Sequence, residues 1–582
     1  MSSQLLEEIT EKLIKRSVSH REKYINRLKS LKDGQITTHS IEPSNVAHAL
    51  AAIDEKRRTI IRQKSSHTLG IISSYNEMVS AHAPYVHYPE QIKAFSAELG
   101  HSAVFIGGVP AICDGVVQGY HGMELSLMSR DIIAMSTAIP LSCSTSDRVA
   151  LLGTCDKIVP GMLIGALSRG YIPACFLPSG PMATGISNSN KSKARQDFHV
   201  GKINSEQLLD TECKCYHSAG TCSFYGTANT NQVMLESLGL QPIDSGLSKA
   251  CDGKSEVIHE IVSALVKDDA LPLYELVTEK SIINACIVWL ATGGSTNHTL
   301  HLVAIARAAG IDLRWEDMDE LSSIVPLLAK VYPNGSADVN QFHEAGGVSA
   351  VMAELLRAGL LHGDAICFNN KTISSQILKA ERPITDPDII SSVELPFNTT
   401  GGIKLLKGNL GQGIMKTSAV QASRQIIRAP AQVFESQQAV YKAYQNDELW
   451  KDIVIVVKNQ GPVANGMPEL HKLIPLLSNI YDKGYQVALV TDGRLSGASG
   501  KVPAVVHVTP EAQKGGAIAQ IKDGELIEVD GVHGILNNIT FSSCDEVAYS
   551  AQKWADKELF DVLRLSLDHP NNGAMSWTEL HD

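Results

Sequence analysis

The chain has 582 residues, 44% hydrophobic and 19% charged, an ordinary globular composition. Its net charge of −11 argues against a nucleic-acid surface, which needs clustered Lys and Arg, but leaves room for a small anionic substrate in a local basic pocket. The opening MSSQLLEEITEKLIKRS lacks the apolar core of a secretion signal, and no run reaches the roughly 18 apolar residues that span a bilayer, so a cytoplasmic protein with no membrane partner is expected.

Residues 1–65 read as a polar helical arm, with Leu6, Ile9 and Leu13 at helical spacing. From His67 the apolar runs LGIIS, SAVFIGG, VALL and PACFL alternate with Gly-rich loops and with helix-like segments such as ELSLMSRDIIAMSTAI and IINACIVWLA. This alternation predicts an α/β domain over residues 66–395 with a mainly parallel sheet. From Thr399 the texture changes to short β-rich runs (IKLL, IIRAPAQVF, DIVIVV, YQVALV, PAVVHV and GELIEV) punctuated by Gly, Pro and Asp. These predict a C-terminal β-rich domain over residues 396–582, a barrel or a sandwich, so the fold class is α/β with a barrel-like second domain.

Eleven cysteines without an export signal suggest core residues, metal ligands or redox sites rather than disulfides. Cys143, Cys175, Cys251, Cys286, Cys367 and Cys544 read as small apolar packing. Four loops set reactive side chains beside Gly and Pro, where α/β folds place ligands. GTCDKIVPG carries a thiol, a carboxylate and an amine in succession at Cys155, Asp156 and Lys157; a plain Asp–Lys pair beside a packed thiol fits equally. GTCSFYGTANTN surrounds Cys222 with hydroxyl and amide residues that suit an inorganic cluster or an anion, or simply a turn. In VPAICDG, Asp114 is a hard oxygen ligand for a divalent cation or the start of an Asp-Gly turn. NGMPE and TDGRLSG offer Glu469 as another cation ligand and Ser496 in a glycine-flanked turn; GRLSG lacks the first glycine of a nucleophile elbow, which argues against a hydrolase.

In order and wording these loops resemble one family. SYNEMVSAHAPYVHYPE, GGVPAICDGVVQGYHGMELSLMSR, CDKIVPG, LPSGPMATG, GTCSFYGTANTNQ, LATGGSTNHTLHL, NQGPVANGMPELHKL and TDGRLSGASGKVPAVVHVTPEA are similar to the dihydroxy-acid dehydratase and 6-phosphogluconate dehydratase family across nearly the whole chain. The resemblance implies that Cys155 and Cys222 ligate a [4Fe–4S] cluster, and that Asp114, Asp156 and Glu469 hold Mg²⁺ (or Mn²⁺). It further implies that Lys157 joins that ion when carbamylated, that Ser496 is the catalytic base, and that the protein is a homodimer. The dihydroxy-acid branch carries a third cluster cysteine where this chain has Ala81, which points to the branch acting on a phosphorylated sugar acid. The implied reaction is dehydration of 6-phosphogluconate to 2-keto-3-deoxy-6-phosphogluconate, a step of the Entner–Doudoroff pathway, by an iron–sulfur Lewis-acid mechanism. The alternative is another sugar acid or 2,3-dihydroxy acid.

Cys113 and His82 are the candidates to replace the missing ligand, with packing beside Asp114 the preferred reading of Cys113. His471, Lys472 and Lys501 follow Glu469 and Ser496 and are candidates to meet the substrate phosphate, since a phosphate dianion needs cationic or N–H donors; solvated, uninvolved side chains fit as well.

Overall fold

In the computed structural model, which describes residues 2–199, 201–496, 500–540 and 558–577, the first apolar runs pair as a four-stranded parallel sheet. Its strands are β1 (Thr68–Ser73), β2 (Ser102–Gly108), β3 (Arg148–Leu152) and β4 (Ala174–Leu177), in spatial order β2-β1-β3-β4. β1 and β4 are buried at every position and β3 at all but its first, as strands covered on both faces must be. The helices Ser126–Cys143 and Ile158–Leu167 lie against each other so closely that a Cβ at Gly161 or Gly165 would collide with the carbonyls of Arg130 or Ala134.

The N-terminal helix Ser2–Asp33 is clamped to the domain rather than projecting from it. Leu6, Ile9, Leu13, Tyr24 and Leu28 are buried along one stripe. Arg21 donates to the carbonyls of Ala309 (2.5 Å), Tyr274 (2.6 Å) and Val277 (2.8 Å), capping turns of the larger domain.

The C-terminal runs close into an eight-stranded barrel: β5 (Ile403–Gly408), β6 (Gly411–Lys416), β7 (Ile426–Phe434), β8 (Ile453–Val457), β9 (Val487–Thr491), β10 (Ala504–Thr509), β11 (Leu526–Asp530) and β12 (Ile535–Asn538). The order around the barrel is β10-β6-β5-β12-β11-β7-β8-β9. The run β7-β8-β9-β10 is parallel, as is the contact of β12 with β5; β5 pairs with β6, β6 with β10, and β11 with β7 and β12, all antiparallel. Alternation divides each strand between two cores. On β8, Val454 and Val456 join Ala429, Ala488 and Val490 in one apolar cluster, whereas Ile453, Ile455 and Val457 belong to the main core shared with the helices. The crossover helix Leu473–Asp482 joins that core through Leu473, Leu476, Leu477 and Ile480, spaced i, i+3, i+4, i+7.

The parallel sheet and the barrel expected from the sequence are therefore both present. Among the described residues no helix is long and apolar enough to cross a membrane, and ten cysteines are free thiols. Cys544 and the Gly497 that follows Ser496 lie outside the described residues.

Candidate active site

Chain direction fixes where the reactive loops meet. Cys113 and Asp114 come after β2, Cys155 to Lys157 after β3, Glu469 in the crossover after β8, and Arg494 and Ser496 after β9. The Cys222 loop is anchored just past β4, where the Thr221 N–H donates to Gly180 O at 2.9 Å.

Asp114, Asp156 and Glu469 present oxygens that all lie within 4.8 Å of one another. Two cations are threaded between them. The buried Lys157 ammonium donates to Asp114 and, at 2.5 Å, to Asp156. Arg494, also buried, donates to Glu469 Oε1 (2.8 Å), Asp114 Oδ2 (3.2 Å) and Asp156 Oδ2 (3.3 Å), while its Nε donates to Met467 O at 2.9 Å. Ser126 Oγ donates to Asp114 at 2.6 Å, His301 Nε2 to Asp156 at 3.0 Å, and Asn297 Nδ2 to Asp156 (3.3 Å) and Glu469 (3.4 Å).

The electrostatics follow from this geometry. Burial alone would raise Asp156, but Lys157, His301 and Arg494 hold it well below the usual carboxylate range. Burial pushes Glu469 up to about 7, with Arg494 opposing and the charges of Asp114 and Asp156 assisting. Burial also pulls His301 down to about 4, so its ring is neutral near pH 7.

Three thiols share the neighbouring space. Cys155 is pushed well up by burial and by Cys113 and Cys222; Cys222 is pushed up to about 12 by burial and Cys113; burial raises Cys113 as well. The chain turns sharply at Cys155, whose φ of 69° is a left-handed conformation that a non-glycine residue adopts only under restraint. That restraint comes from the helix Thr227–Ser237: Asn231 Nδ2 donates to the carbonyls of Cys155 (2.8 Å) and Asp156 (3.0 Å). Two residues earlier, Asn229 Nδ2 donates to the carbonyls of Cys222 (2.7 Å) and Phe224 (2.8 Å), so one helix holds both thiol loops.

Ala81 lies in the same neighbourhood, since Ser80 O accepts the Gly220 N–H at 2.8 Å, but it offers only a methyl group. His82 is buried beside it. Ser74 Oγ donates to Leu152 O (2.7 Å) and accepts from His82 Nδ1 (2.6 Å), which leaves the His82 Nε2 lone pair buried and without a partner.

The two barrel loops are held in register with each other by the Leu470 N–H donating to Arg494 O at 2.9 Å. Beneath them the buried Asp492, raised to about 6 by burial, accepts the N–H groups of Gln460 (2.9 Å), Ala512 (3.0 Å) and Asn459 (3.1 Å). Ser496 follows Arg494 by two residues and is half-buried.

Of the candidate phosphate residues, His471 accepts from Arg195 Nη1 at 3.2 Å, and Lys472 lies over the Tyr120 ring at 5.4 Å. Lys501 instead pairs with Asp482 at 2.7 Å on an exposed face of the crossover helix. The sequence reasoning passed over Arg494, His301, Asn297 and Ser126. All four sit in segments whose signal was available: polar residues embedded in otherwise apolar or glycine-rich runs.

A family model described as dihydroxy-acid/6-phosphogluconate dehydratase N-terminal matches residues 67–376, and its C-terminal counterpart matches residues 388–574. The chain is 44% identical to the phosphogluconate dehydratase of Pseudomonas aeruginosa over 98% of both chains. It is 44% identical to that of Escherichia coli K12 and 45% identical to that of Helicobacter pylori, in each case over 99% of both chains.

Proposed function

Because the chain belongs to the dihydroxy-acid/6-phosphogluconate dehydratase family, we propose that it is a hydro-lyase that converts 6-phosphogluconate to 2-keto-3-deoxy-6-phosphogluconate and water. The observation that carries this reading is the convergence of three carboxylates and three thiols at one place, in a chain similar along its length to phosphogluconate dehydratases.

The two donor sets fit two different groups. Carboxylate oxygens within 4.8 Å of one another suit a hard divalent ion, Mg²⁺ or Mn²⁺, held by Asp114, Asp156 and Glu469. The thiols of Cys155 and Cys222 suit an iron–sulfur cluster, [4Fe–4S] in this reading. For the third ligand, packing explains the burial of Cys113 but not its place beside two other thiols; that position favours it over His82. The carboxylate trio already holds the Lys157 ammonium, so carbamylation of Lys157 would exchange a competing positive charge for an oxygen donor. When bound, the cluster and the ion supply Lewis acidity, easing loss of the C3 hydroxyl and stabilising the charge that develops as C2 loses its proton.

The chain's own groups do the rest. Arg494, permanently charged, keeps the three carboxylates in register across both halves of the molecule. Ser496 takes the C2 proton. A serine acts as a base only where positive charge lowers its pKa, and the same turn supplies Arg494. Neutral His301 and Asn297 orient Asp156 and Glu469, and burial of Lys157, Arg494, Glu469, Asn297 and His301 limits the access of bulk water to the half-buried Asp114 and Asp156. The protein works in the cytoplasm as a homodimer in this reading. Phe105 on the edge strand β2, with Met135 and Ile139 on the adjacent helix, is exposed and apolar, a face a second copy would cover.

Anaerobic, iron-reconstituted protein should form 2-keto acid from 6-phosphogluconate and lose that activity in air. Absence of 2-keto acid with the cluster visibly present would overturn the substrate. Activity that survives prolonged aeration and chelation would remove the cluster from catalysis. Cys113→Ser should retain less iron per chain than wild type, whereas undiminished iron would hand the third position to His82.

A further inference from the structure

The helix Asn188–His199 carries cations that the dehydration chemistry leaves unused. Lys191 and Arg195 are one turn apart and so share a face. Lys191 is buried, yet among the described residues no carboxylate pairs with it. Its ammonium donates to Tyr216 OH at 2.9 Å and sits 4.7 Å from the Tyr216 ring and 4.8 Å from the Phe224 ring. Arg195 uses Nε (2.5 Å) and Nη2 (3.0 Å) on Glu212 and turns Nη1 toward His471.

These residues bridge the two sides of the site. Phe224 is two residues past Cys222, and His471 is two residues past Glu469. Lys472 comes next in the chain, its exposed side chain laid across Gly119 and over Tyr120, and Gln118 of that loop reaches Glu469 at 3.5 Å. Among the described residues, Glu212 is the one carboxylate in an ion pair with Lys191, Arg195 or Lys472, in a chain whose net charge is −11.

His471 adds an unmet donor. A guanidinium can only donate, so His471 Nε2 is the acceptor and the neutral ring carries its proton on Nδ1, which is enclosed without a partner. Two surplus positive charges and one unused N–H, set beside the carboxylate and thiol loops, match a phosphate dianion rather than a hydroxyl.

Resting on the dehydratase reading above, we propose that Lys191 and Arg195, together with Lys472 and His471, form the subsite for the 6-phosphate and set the preference for a phosphorylated over a free sugar acid. The reacting carbons C2 and C3 lie at the opposite end of the same open chain, so one substrate spans both groups of residues. Lys501, held by Asp482, takes no part.

The test is equilibrium binding to the full-length chain of 6-phosphogluconate, gluconate and inorganic phosphate, run beside anaerobic turnover. Wild type should bind 6-phosphogluconate more tightly than gluconate. Lys191→Met and Lys472→Met should each weaken 6-phosphogluconate and inorganic phosphate by about 10- to 100-fold, the worth of one charged hydrogen bond, while gluconate is unaffected. Lys191→Arg should restore most of the loss. Lys472 is exposed, so its variant keeps the test valid if burial makes Lys191→Met unstable. Variants that bind both phosphorylated ligand and inorganic phosphate as wild type does would overturn the subsite. Tight, variant-sensitive binding without 2-keto acid formation would uphold the subsite and overturn the dehydratase reading instead.

Discussion

The N-terminal sheet is parallel throughout, whereas the barrel is parallel along β7-β8-β9-β10 and at the short β5–β12 contact, and it is the four-strand parallel run whose loops reach the site. Parallel neighbours point their C-terminal ends the same way and need long crossovers, so reactive loops collect at one edge. β2 and β3 deliver Asp114, Cys155 and Asp156 there; β8 and β9 deliver Glu469, Arg494 and Ser496. β5, β11 and β12 close the barrel and supply none of the three carboxylates, the thiols, Arg494 or Ser496. The halves also differ in how the loops are fixed. The thiol loops hang on neutral amides, Asn229 and Asn231, which hold backbone carbonyls without adding charge beside the thiols. The barrel loops hang on a buried carboxylate, Asp492, which collects three N–H groups.

The sharpest way to break this comparison is to cut the one side chain that serves both halves. Arg494→Met leaves the buried Glu469 and the half-buried Asp114 and Asp156 together with only Lys157 between them. Removing one member of such a buried ion group should cost roughly 3–5 kcal/mol, read from denaturant unfolding, along with nearly all activity. Arg494→Lys should recover part of the stability but little activity, because an ammonium cannot fork across three carboxylates. An unchanged unfolding midpoint in Arg494→Met would mean that the halves are not tied through this residue.

A smaller effect is expected from the amide-held side alone. Asn231→Ala removes the donor shared by the Cys155 and Asp156 carbonyls without touching a reactive side chain. By analogy with groups that orient metal ligands, it should lower metal retention or turnover by about 10- to 100-fold. Equal iron content and equal kcat would show that the left-handed turn at Cys155 holds itself.

Much of this architecture was legible beforehand because buried parallel strands are long apolar words. LGIIS, VALL and DIVIVV needed no partner to be recognised. The strands that escaped notice, β6 (GQGIMK) and β12 (ILNN), are rich in glycine or amides and are defined by their barrel neighbours rather than by their own pattern. At the site, thiols and carboxylates flanked by Gly and Pro were readable as chemistry. Arg494 sat in the same turn as Ser496 and gave no sign of its three partners, because sequence carries no distance across 338 residues to Asp156. Lys191 and Arg195, on the strongly polar run NSNKSKARQDFH, look like a solvated helix face until Tyr216, Phe224 and His471 close over them. Lys501 shows the opposite case: near Ser496 in sequence, it pairs with Asp482 on the crossover helix.

The smallest expected effect tests the antiparallel side, where the barrel touches the N-terminal domain through Lys416 at the end of β6. Its buried ammonium donates to the carbonyls of Gly293 (2.7 Å) and Gly294 (3.2 Å), and burial pulls its pKa from 10.5 down to about 7. Between those values the unfolded chain holds a proton that the folded chain does not. Folding stability therefore rises with pH through this window and is lowest below it, where the folded protein must bury the charge. The contribution should be about 1 kcal/mol between pH 7 and pH 8. Lys416→Met has nothing to titrate, so its unfolding free energy should climb less steeply than that of wild type over the same interval. Parallel pH profiles would show that the amine keeps its ordinary pKa, and that the contact between the barrel and the Gly293–Gly294 turn is wetter than its burial indicates.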